Sequence, residues 1–176
     1  TPIRRQRQMC IRDSPNTTDV LSEEAAYVTL NLMEGVTNYG SGGRLRHSGL
    51  EETNYIYKNL ITGYPYAFEN AIAGKTGTTQ NQSDGWFMGM VPNLVTGVWV
   101  GGEDRSVHFE DIAFGQGATM ALPIWAQFMK NAYSNPDLGI SAEDFQSPKV
   151  LTIPTDCENL SIESETKKKD LEDLGF

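Results

Sequence analysis

The chain has 176 residues, 39% of them hydrophobic and 21% charged, and a formal net charge of −9. This length and composition are enough for one soluble domain with its own core. The acidic balance argues against a nucleic-acid partner, because binding to phosphates requires a basic surface. No apolar run approaches the roughly 20 residues of a membrane-spanning helix, and no signal peptide is recognisable.

Two segments differ in composition from the rest of the chain. Residues 1–14 hold four arginines and no aromatic residue, ahead of an acidic chain, and are interpreted as a non-native or disordered segment. Residues 149–176 are dominated by acids and lysines from Glu158 onward and are interpreted as a charged, mobile tail. Residues 15–148 are therefore expected to carry the fold.

The cysteines and histidines give no support for a metal or redox centre. Cys10 and Cys157 fall in the two atypical segments, and nothing in their spacing supports a disulfide. His47 and His108 have no partners at metal-ligand spacing and are interpreted as loop histidines. We therefore expect neither a metal nor a cofactor.

A first helix is predicted to begin after Ser22. The serine can cap the helix, and Glu23 and Glu24 follow at the positive end of the helix dipole. The predicted helix ends near residues 38–40. Apolar residues at helical spacing predict a stripe that packs on the core. The stripe consists of Ala25, Val28, Leu32, Met33 and Val36.

Residues 39–52 are rich in Gly and Ser and predict an exposed loop. Its basic residues Arg44, Arg46 and His47 could attract an anionic peptide, although solvation alone accounts for them. The aromatic run that follows could stack on a ligand, but burial beside the sheet is the preferred interpretation. The run consists of Tyr55, Tyr57, Tyr64, Tyr66 and Phe68.

Three antiparallel strands are predicted next, separated by a polar loop and a proline turn. They span about residues 71–78, 85–91 and 95–101. The third is almost continuously β-branched or aromatic, which predicts a buried central strand. Three aromatic residues are expected in the core: Trp86, Phe87 and Trp99.

Residues 102–117 predict a loop with at most a short strand. Pro123 suits the first turn of a second helix, which ends near residues 135–136. The apolar stripe of this helix is Trp125, Phe128, Met129, Ala132 and Tyr133. Helices that pack on an antiparallel meander of at least three strands make an α+β fold.

The most informative stretch is residues 71–79, an apolar strand that ends in Lys75, a glycine and three hydroxyls. On a strand, Lys75 and Gly77 point to one face, and Thr76 and Thr78 point to the other. Gly77 has no Cβ, so a ligand can approach the strand closely. Such an edge suits a carboxylate or an oxyanion.

Two known motifs contain Gly-Lys-Thr. A phosphate-binding loop is excluded, because Glu69 stands where its first glycine belongs and a turn follows instead of a helix. The other motif is the Lys-Thr-Gly of penicillin-binding proteins and class A β-lactamases, which Lys75-Thr76-Gly77 matches. A chance tripeptide in an ordinary hairpin is the simpler alternative, and the flanking residues argue against it.

The Lys-Thr-Gly stretch and the residues that follow it resemble the end of the transpeptidase domain of class A penicillin-binding proteins. These are the bifunctional transglycosylase/transpeptidases of bacterial cell-wall synthesis. The resemblance runs from about Val20 to about Pro148 and keeps motif order and spacing. It implies the C-terminal part of that domain, with a serine β-lactamase-like fold. The matching stretches are residues 74–79, 84–89, 96–101 and 121–125.

The resemblance implies a serine acyl-enzyme that cross-links peptidoglycan stem peptides ending in D-Ala-D-Ala and that binds β-lactams. Lys75 would support the hydroxyl network and attract the substrate carboxylate. Thr76, Thr78 and Thr79 would bind that carboxylate, the Thr78 N–H would be an oxyanion donor, and Gly77 would keep the edge open. The implied location is the periplasmic face of the inner membrane, through an upstream anchor outside this chain.

The family's nucleophile, a serine in Ser-x-x-Lys, is expected to be absent. The match at Ser164 to Lys167 lies in the charged tail, after Lys-Thr-Gly, and residues 14–16 match Ser-x-Asn only formally. The chain is therefore expected to supply one wall of a site and to be inactive alone. Alternatives are a complete non-catalytic β-module that binds peptides at its strand edge, or a related β-lactamase or D,D-carboxypeptidase.

Overall fold

The computed structural model describes residues 20–49 and 53–155. These residues form a three-stranded antiparallel sheet in the order β1-β2-β3, together with α-helices. The strands are β1 (Ala73–Thr78), β2 (Asp84–Val91) and β3 (Leu94–Gly101). The α-helices are α1 (Glu23–Asn38), α2 (Ile112–Gly115), α3 (Gly117–Met120) and α4 (Leu122–Tyr133).

The predicted α+β architecture and antiparallel meander are confirmed. Each strand begins and ends within two residues of its predicted limit. The register pairs Lys75 with Met88 across β1 and β2, and β2 joins β3 through a two-residue turn at Pro92-Asn93. No helix in residues 20–49 or 53–155 is both long and apolar enough to cross a bilayer.

The order of the strands corrects one prediction. β2 is central, and β3 is an edge strand whose residues alternate between half-buried and exposed. The half-buried positions are Leu94, Thr96, Val98 and Val100. The β-branched run in β3 therefore reflects strand propensity and not burial on both faces.

The inner face of the sheet, to which Phe87 points, packs against α3 and α4. Phe87 is 0% exposed, and its ring lies edge-on to Trp125, with 5.2 Å between the ring centroids. Trp125 lies directly on the backbone of Gly89, where an added Cβ would come within 2.4 Å of the indole. Its Nε1 donates to the Thr96 hydroxyl at 2.6 Å. The predicted core position of Phe87 is confirmed.

The outer face of the sheet carries Lys75, Trp86, Met88, Val95 and Trp99. Trp86 and Trp99 are 45% and 48% exposed, so the prediction that both lie in the core is wrong. They face away from α4 because they alternate with Phe87 and Val98 along β2 and β3. Their rings contact each other, with 6.4 Å between centroids.

Helix α1 has the predicted start and end, and Ser22 Oγ accepts the Ala25 N–H at 3.2 Å. The predicted core stripe is only partly correct, because Leu32 is exposed and the rest of the stripe is half-buried. Thr37, in the last turn of the helix, lies against Gly74 of β1. There the fully buried Thr37 hydroxyl donates to the Ile72 carbonyl at 2.5 Å.

The described part of the predicted exposed loop, residues 39–49, is more ordered than predicted. A 3-10 turn at Gly43–Leu45 buries Leu45 completely, and a π-helical turn follows at Ile56–Leu60. Burial of the aromatic run is confirmed for Tyr66 and Phe68, whereas Tyr55 is exposed.

The predicted loop before α4 contains the short helices α2 and α3 in place of any strand. In α4, Trp125, Met129 and Ala132 are buried as predicted, but Phe128 is exposed. Residues 149–155 form no strand, and the Glu24 carboxylate accepts hydrogen bonds from the Thr152 and Ile153 amides. The predictions for Cys10, Cys157, Ser164 and residues 1–14 fall outside the described residues.

Candidate functional site

Lys-Thr-Gly forms the middle of β1, an edge strand of the sheet, and not a phosphate loop. Lys75 is exposed and pairs with Met88 on the outer face. Thr76 pairs with Phe87 on the inner face. Because directly opposed residues of antiparallel strands share a face, the predicted separation of the ammonium from the hydroxyls is confirmed.

The backbone at the end of β1 presents one N–H to the free edge. The Thr79 N–H donates to the Asp84 carbonyl at 3.0 Å, which places the Thr79 backbone in the ladder with β2. Since ladder bonds alternate along an antiparallel strand, the Thr78 N–H points away from β2. The Thr76 carbonyl points the same way and accepts Lys75 Nζ at 2.8 Å. This edge thus offers a donor N–H close to an ammonium.

The hydroxyls of Thr76 and Thr78 are both held by other parts of the fold. Thr76 Oγ1 lies 2.6 Å from Ser41 Oγ, in the loop after α1. Thr78 Oγ1 accepts the Gly117 N–H at 3.0 Å, from the start of α3. These contacts link residues 35 and 39 positions apart in sequence, so no local motif signals them.

Thr79 is placed differently from the other two threonines. Its hydroxyl lies 3.0 Å from Ser83 Oγ and 3.3 Å from an oxygen of Asp84, inside the β1–β2 hairpin loop. Asp84 also accepts Trp99 Nε1 at 3.1 Å. Thr79 therefore closes the hairpin in this structure, and its role in binding a ligand stays a prediction.

A cleft of about 330 Å³ lies beside the loop after α1. Its walls include Ser41, which contacts Thr76, and Gln116, which precedes the amide that contacts Thr78. The Arg44 guanidinium stacks 4.0 Å above the ring of Tyr57 and donates to the Ala118 carbonyl at 2.6 Å. Arg44 thus has a packing role, where the sequence suggested a solvated cation.

Arg46, also predicted to be a solvated loop cation, anchors the segment that enters β1. Its Nη1 donates to the carbonyls of Phe68 and Asn70 at 3.1 and 2.5 Å. Burial lowers the pKa of Arg46, and burial likewise raises the pKa of Tyr133, whose hydroxyl accepts from the Asn70 amide at 2.9 Å. This half-buried polar network anchors the segment that precedes β1, and no periodic pattern in the sequence indicated it.

Among residues 20–49 and 53–155, no cluster of three or more His, Cys, Asp or Glu side chains could hold a metal ion. The groups that β1 itself presents are an ammonium, hydroxyls and backbone amides. These are the groups that bind a carboxylate or stabilise an oxyanion.

No family model matches the chain. It is similar to curated proteins that are each called penicillin-binding protein 1A, among them those of three bacteria. The protein of Pseudomonas aeruginosa is 30% identical over 138 residues, which is 78% of this chain and 14% of that protein. The protein of Vibrio cholerae is 31% identical over 130 residues, 68% of this chain and 15% of its own length. The protein of Aquifex aeolicus is 36% identical over 99 residues, 52% of this chain and 13% of its own length.

The chain thus spans about one seventh of the length of the curated relatives it matches. Its Lys-Thr-Gly strand, its antiparallel meander and its helix α4 occur in the order that the resemblance predicted. On these matches, the chain belongs to the family of class A penicillin-binding proteins.

Proposed function

We propose that the chain is the C-terminal part of a peptidoglycan D,D-transpeptidase domain, and that β1 binds the terminal carboxylate of a stem peptide ending in D-Ala-D-Ala. The observation that carries this proposal is the edge of β1. It combines the exposed Lys75 ammonium, two held hydroxyls and an outward Thr78 N–H.

Each group has a distinct role in this proposal. Lys75 attracts the carboxylate by its charge, and the hydroxyls of Thr76 and Thr78 donate hydrogen bonds to it. The Thr78 N–H stabilises the oxyanion that forms when the scissile carbonyl is attacked, and Gly77 lets the peptide lie beside β1 as an added strand. Losing one such oxyanion donor costs on the order of 10²–10³ in rate in other enzymes.

The serine nucleophile would come from a region of the longer protein outside this sequence. The outer face supports this proposal, because exposed tryptophans beside Lys75 are typical of a surface that another element covers. In the complete protein, the remaining part of a serine β-lactamase-like domain would cover that face. The domain would act on the periplasmic side of the membrane, and β-lactams would compete for the same edge.

A titration of the ¹⁵N-labelled chain, followed by NMR, tests the carboxylate site. An acetylated peptide ending in D-Ala-D-Ala should shift the amide signals of residues 75–78. The same peptide with a C-terminal amide should not, because it lacks the charge that Lys75 recognises. Lys75→Met should weaken binding of the acid about 10-fold or more, as expected for a charge-assisted hydrogen bond. Equal binding of acid and amide would overturn the proposal.

Two further measurements separate the alternatives. Mass spectrometry should detect no covalent adduct with penicillin, and an adduct at any serine would show that this chain holds its own nucleophile. A peptide ending in L-Ala-L-Ala should bind more weakly than the D-Ala-D-Ala peptide. Equal binding of the two would favour a general β-module that pairs with any extended peptide at its strand edge.

A further inference from the structure

We infer that Ser41 is a positioning residue that orients the Thr76 hydroxyl as a hydrogen-bond donor to the substrate carboxylate. This inference deepens the proposed function and rests on it. The observation behind it is the distance of 2.6 Å between Ser41 Oγ and Thr76 Oγ1, two side chains 35 residues apart. No role for a residue of this loop follows from the Lys-Thr-Gly motif itself.

The backbone around Ser41 is fixed against the end of α1. The Gly40 N–H donates to the Gly35 carbonyl at 3.1 Å, and the Gly42 N–H donates to the Val36 carbonyl at 2.9 Å. The loop wraps so closely that an added Cβ on Gly40 would lie 2.9 Å from the Val36 Cα. Ser41, between these two glycines, is therefore held at one position relative to α1.

The end of α1 is in turn fixed to the chain that enters β1. The buried Thr37 hydroxyl donates to the Ile72 carbonyl, and Arg46 donates to the Asn70 carbonyl from the other side of the loop. Ser41 thus lies in the chain between Thr37 and Arg46, whose side chains both bond to the segment before β1. The position of its hydroxyl beside β1 is set by the fold, although the side chain itself is exposed.

The hydrogen-bonding capacity of a hydroxyl decides the direction of each bond. A threonine hydroxyl has one hydrogen to donate and two lone pairs that accept. The Gly117 N–H can only donate, so Thr78 Oγ1 accepts from it and keeps its own hydrogen for another acceptor. A carboxylate bound at the β1 edge is such an acceptor, because it has no hydrogen to give.

The same reasoning applies to Thr76. When its hydrogen is donated to a carboxylate, its contact with Ser41 requires Ser41 to be the donor. Ser41 and the Gly117 N–H would then play equivalent parts, each donating to a threonine that donates to the ligand. Ser41 would not touch the ligand, so it is a positioning residue and not a catalytic one.

The test uses the 176-residue chain and the peptide acid and amide described above. Ser41→Ala should weaken binding of the D-Ala-D-Ala acid about 3- to 10-fold, the range expected for one neutral hydrogen bond. The peptide amide should leave the amide signals of residues 75–78 unshifted in this variant, as in wild type. Ser41→Thr keeps the hydroxyl and should restore the wild-type affinity. Ser48→Ala, at an exposed serine in the same loop, is the matched control and should bind like wild type.

A double-mutant cycle completes the test. In a Thr76→Val background, Ser41→Ala should cause no further loss, because its effect passes through the Thr76 hydroxyl. An unchanged acid affinity in Ser41→Ala, or equal losses for acid and amide, would overturn the inference and leave the proposed function standing. If wild-type chain binds acid and amide alike, the proposed function fails and the inference fails with it.

Discussion

The inner and outer faces of the sheet are built from alternate residues of the same strands, yet their environments differ sharply. Phe87 is fully buried under α4, whereas its neighbour Trp86 is almost half exposed. Both faces carry large apolar residues. The difference shows that apolar residues in a strand predict an apolar face, but that burial depends on which elements pack against it.

The chemical groups of the candidate site are divided between the two faces. Lys75 lies on the exposed outer face, whereas Thr76 and Thr78 contact groups from the loop after α1 and from α3 on the inner side. The candidate site is therefore the edge where the two faces meet. The packed side fixes the hydroxyls, and on the open side the Lys75 ammonium is exposed while it donates to the Thr76 carbonyl.

The largest expected effect compares Phe87→Ala with Trp86→Ala. Truncating Phe87 should lower the free energy of unfolding by about 3–5 kcal/mol, because it leaves a cavity against Trp125. Truncating Trp86 should cost about 1 kcal/mol or less, because the side chain is almost half exposed and lies on the uncovered face. Urea unfolding followed by circular dichroism measures both.

If Phe87→Ala does not fold, Phe87→Leu serves in its place, with an expected loss of about 1 kcal/mol. Equal losses of unfolding free energy from truncating Trp86 and Phe87 would show that the outer face is as well packed as the inner one.

A smaller effect is expected from adding a methyl group to each face. Gly89→Ala would bring Cβ within 2.4 Å of the Trp125 indole, which is locked in the core, and should cost about 1–3 kcal/mol. Gly97→Ala would meet Met88 Sδ at 2.3 Å, at the flexible end of an exposed side chain that can move aside. Its cost should be below about 1 kcal/mol, and thermal unfolding of the two variants compares them. A greater loss for Gly97→Ala would contradict the assignment of faces.

The smallest expected effect concerns Glu24, which joins α1 to the C-terminal segment. Hydrogen bonds from the Thr152 hydroxyl and amide, and from the Ile153 amide, hold the pKa of Glu24 below its ordinary value of 4.5. The charged form is thus favoured in the folded state. The contribution of the Glu24 carboxylate to stability is present above pH 4.5 and is lost as the pH falls through its lowered pKa.

Comparing the melting temperatures of wild type and Glu24→Gln between pH 7 and pH 3 measures this contribution. The excess of the wild-type melting temperature over that of Glu24→Gln should be constant above about pH 5 and should shrink below pH 4.5. A difference that is the same at every pH would show that Glu24 acts only as a neutral acceptor.

Much of the local structure was predictable because its causes are local. Ser22 and the acids after it fixed the start of α1, and the proline turn and alternating residues fixed the strands within two positions. The Lys-Thr-Gly stretch was placed on a strand, with its two faces correctly assigned. The predicted burial of Trp86, Trp99 and Phe128 was wrong, because an apolar side chain was taken to be a buried one.

The contacts that complete the candidate site were not predictable. Ser41 and Gly117 carry no sequence signal for their bonds to the threonines of β1, because each bond depends on how a distant loop packs. Arg46 was interpreted as a solvated loop residue, since nothing local shows that its guanidinium meets the carbonyls of Phe68 and Asn70.

The amino-acid sequence by itself determined α1, α4, the three strands and the chemical groups on β1, because propensity, capping and alternation act between near neighbours. Tertiary structure alone decided which strand is central, which face is covered and which groups hold the threonine hydroxyls. Those features depend on contacts between residues dozens of positions apart, and no pattern within a short stretch encodes them.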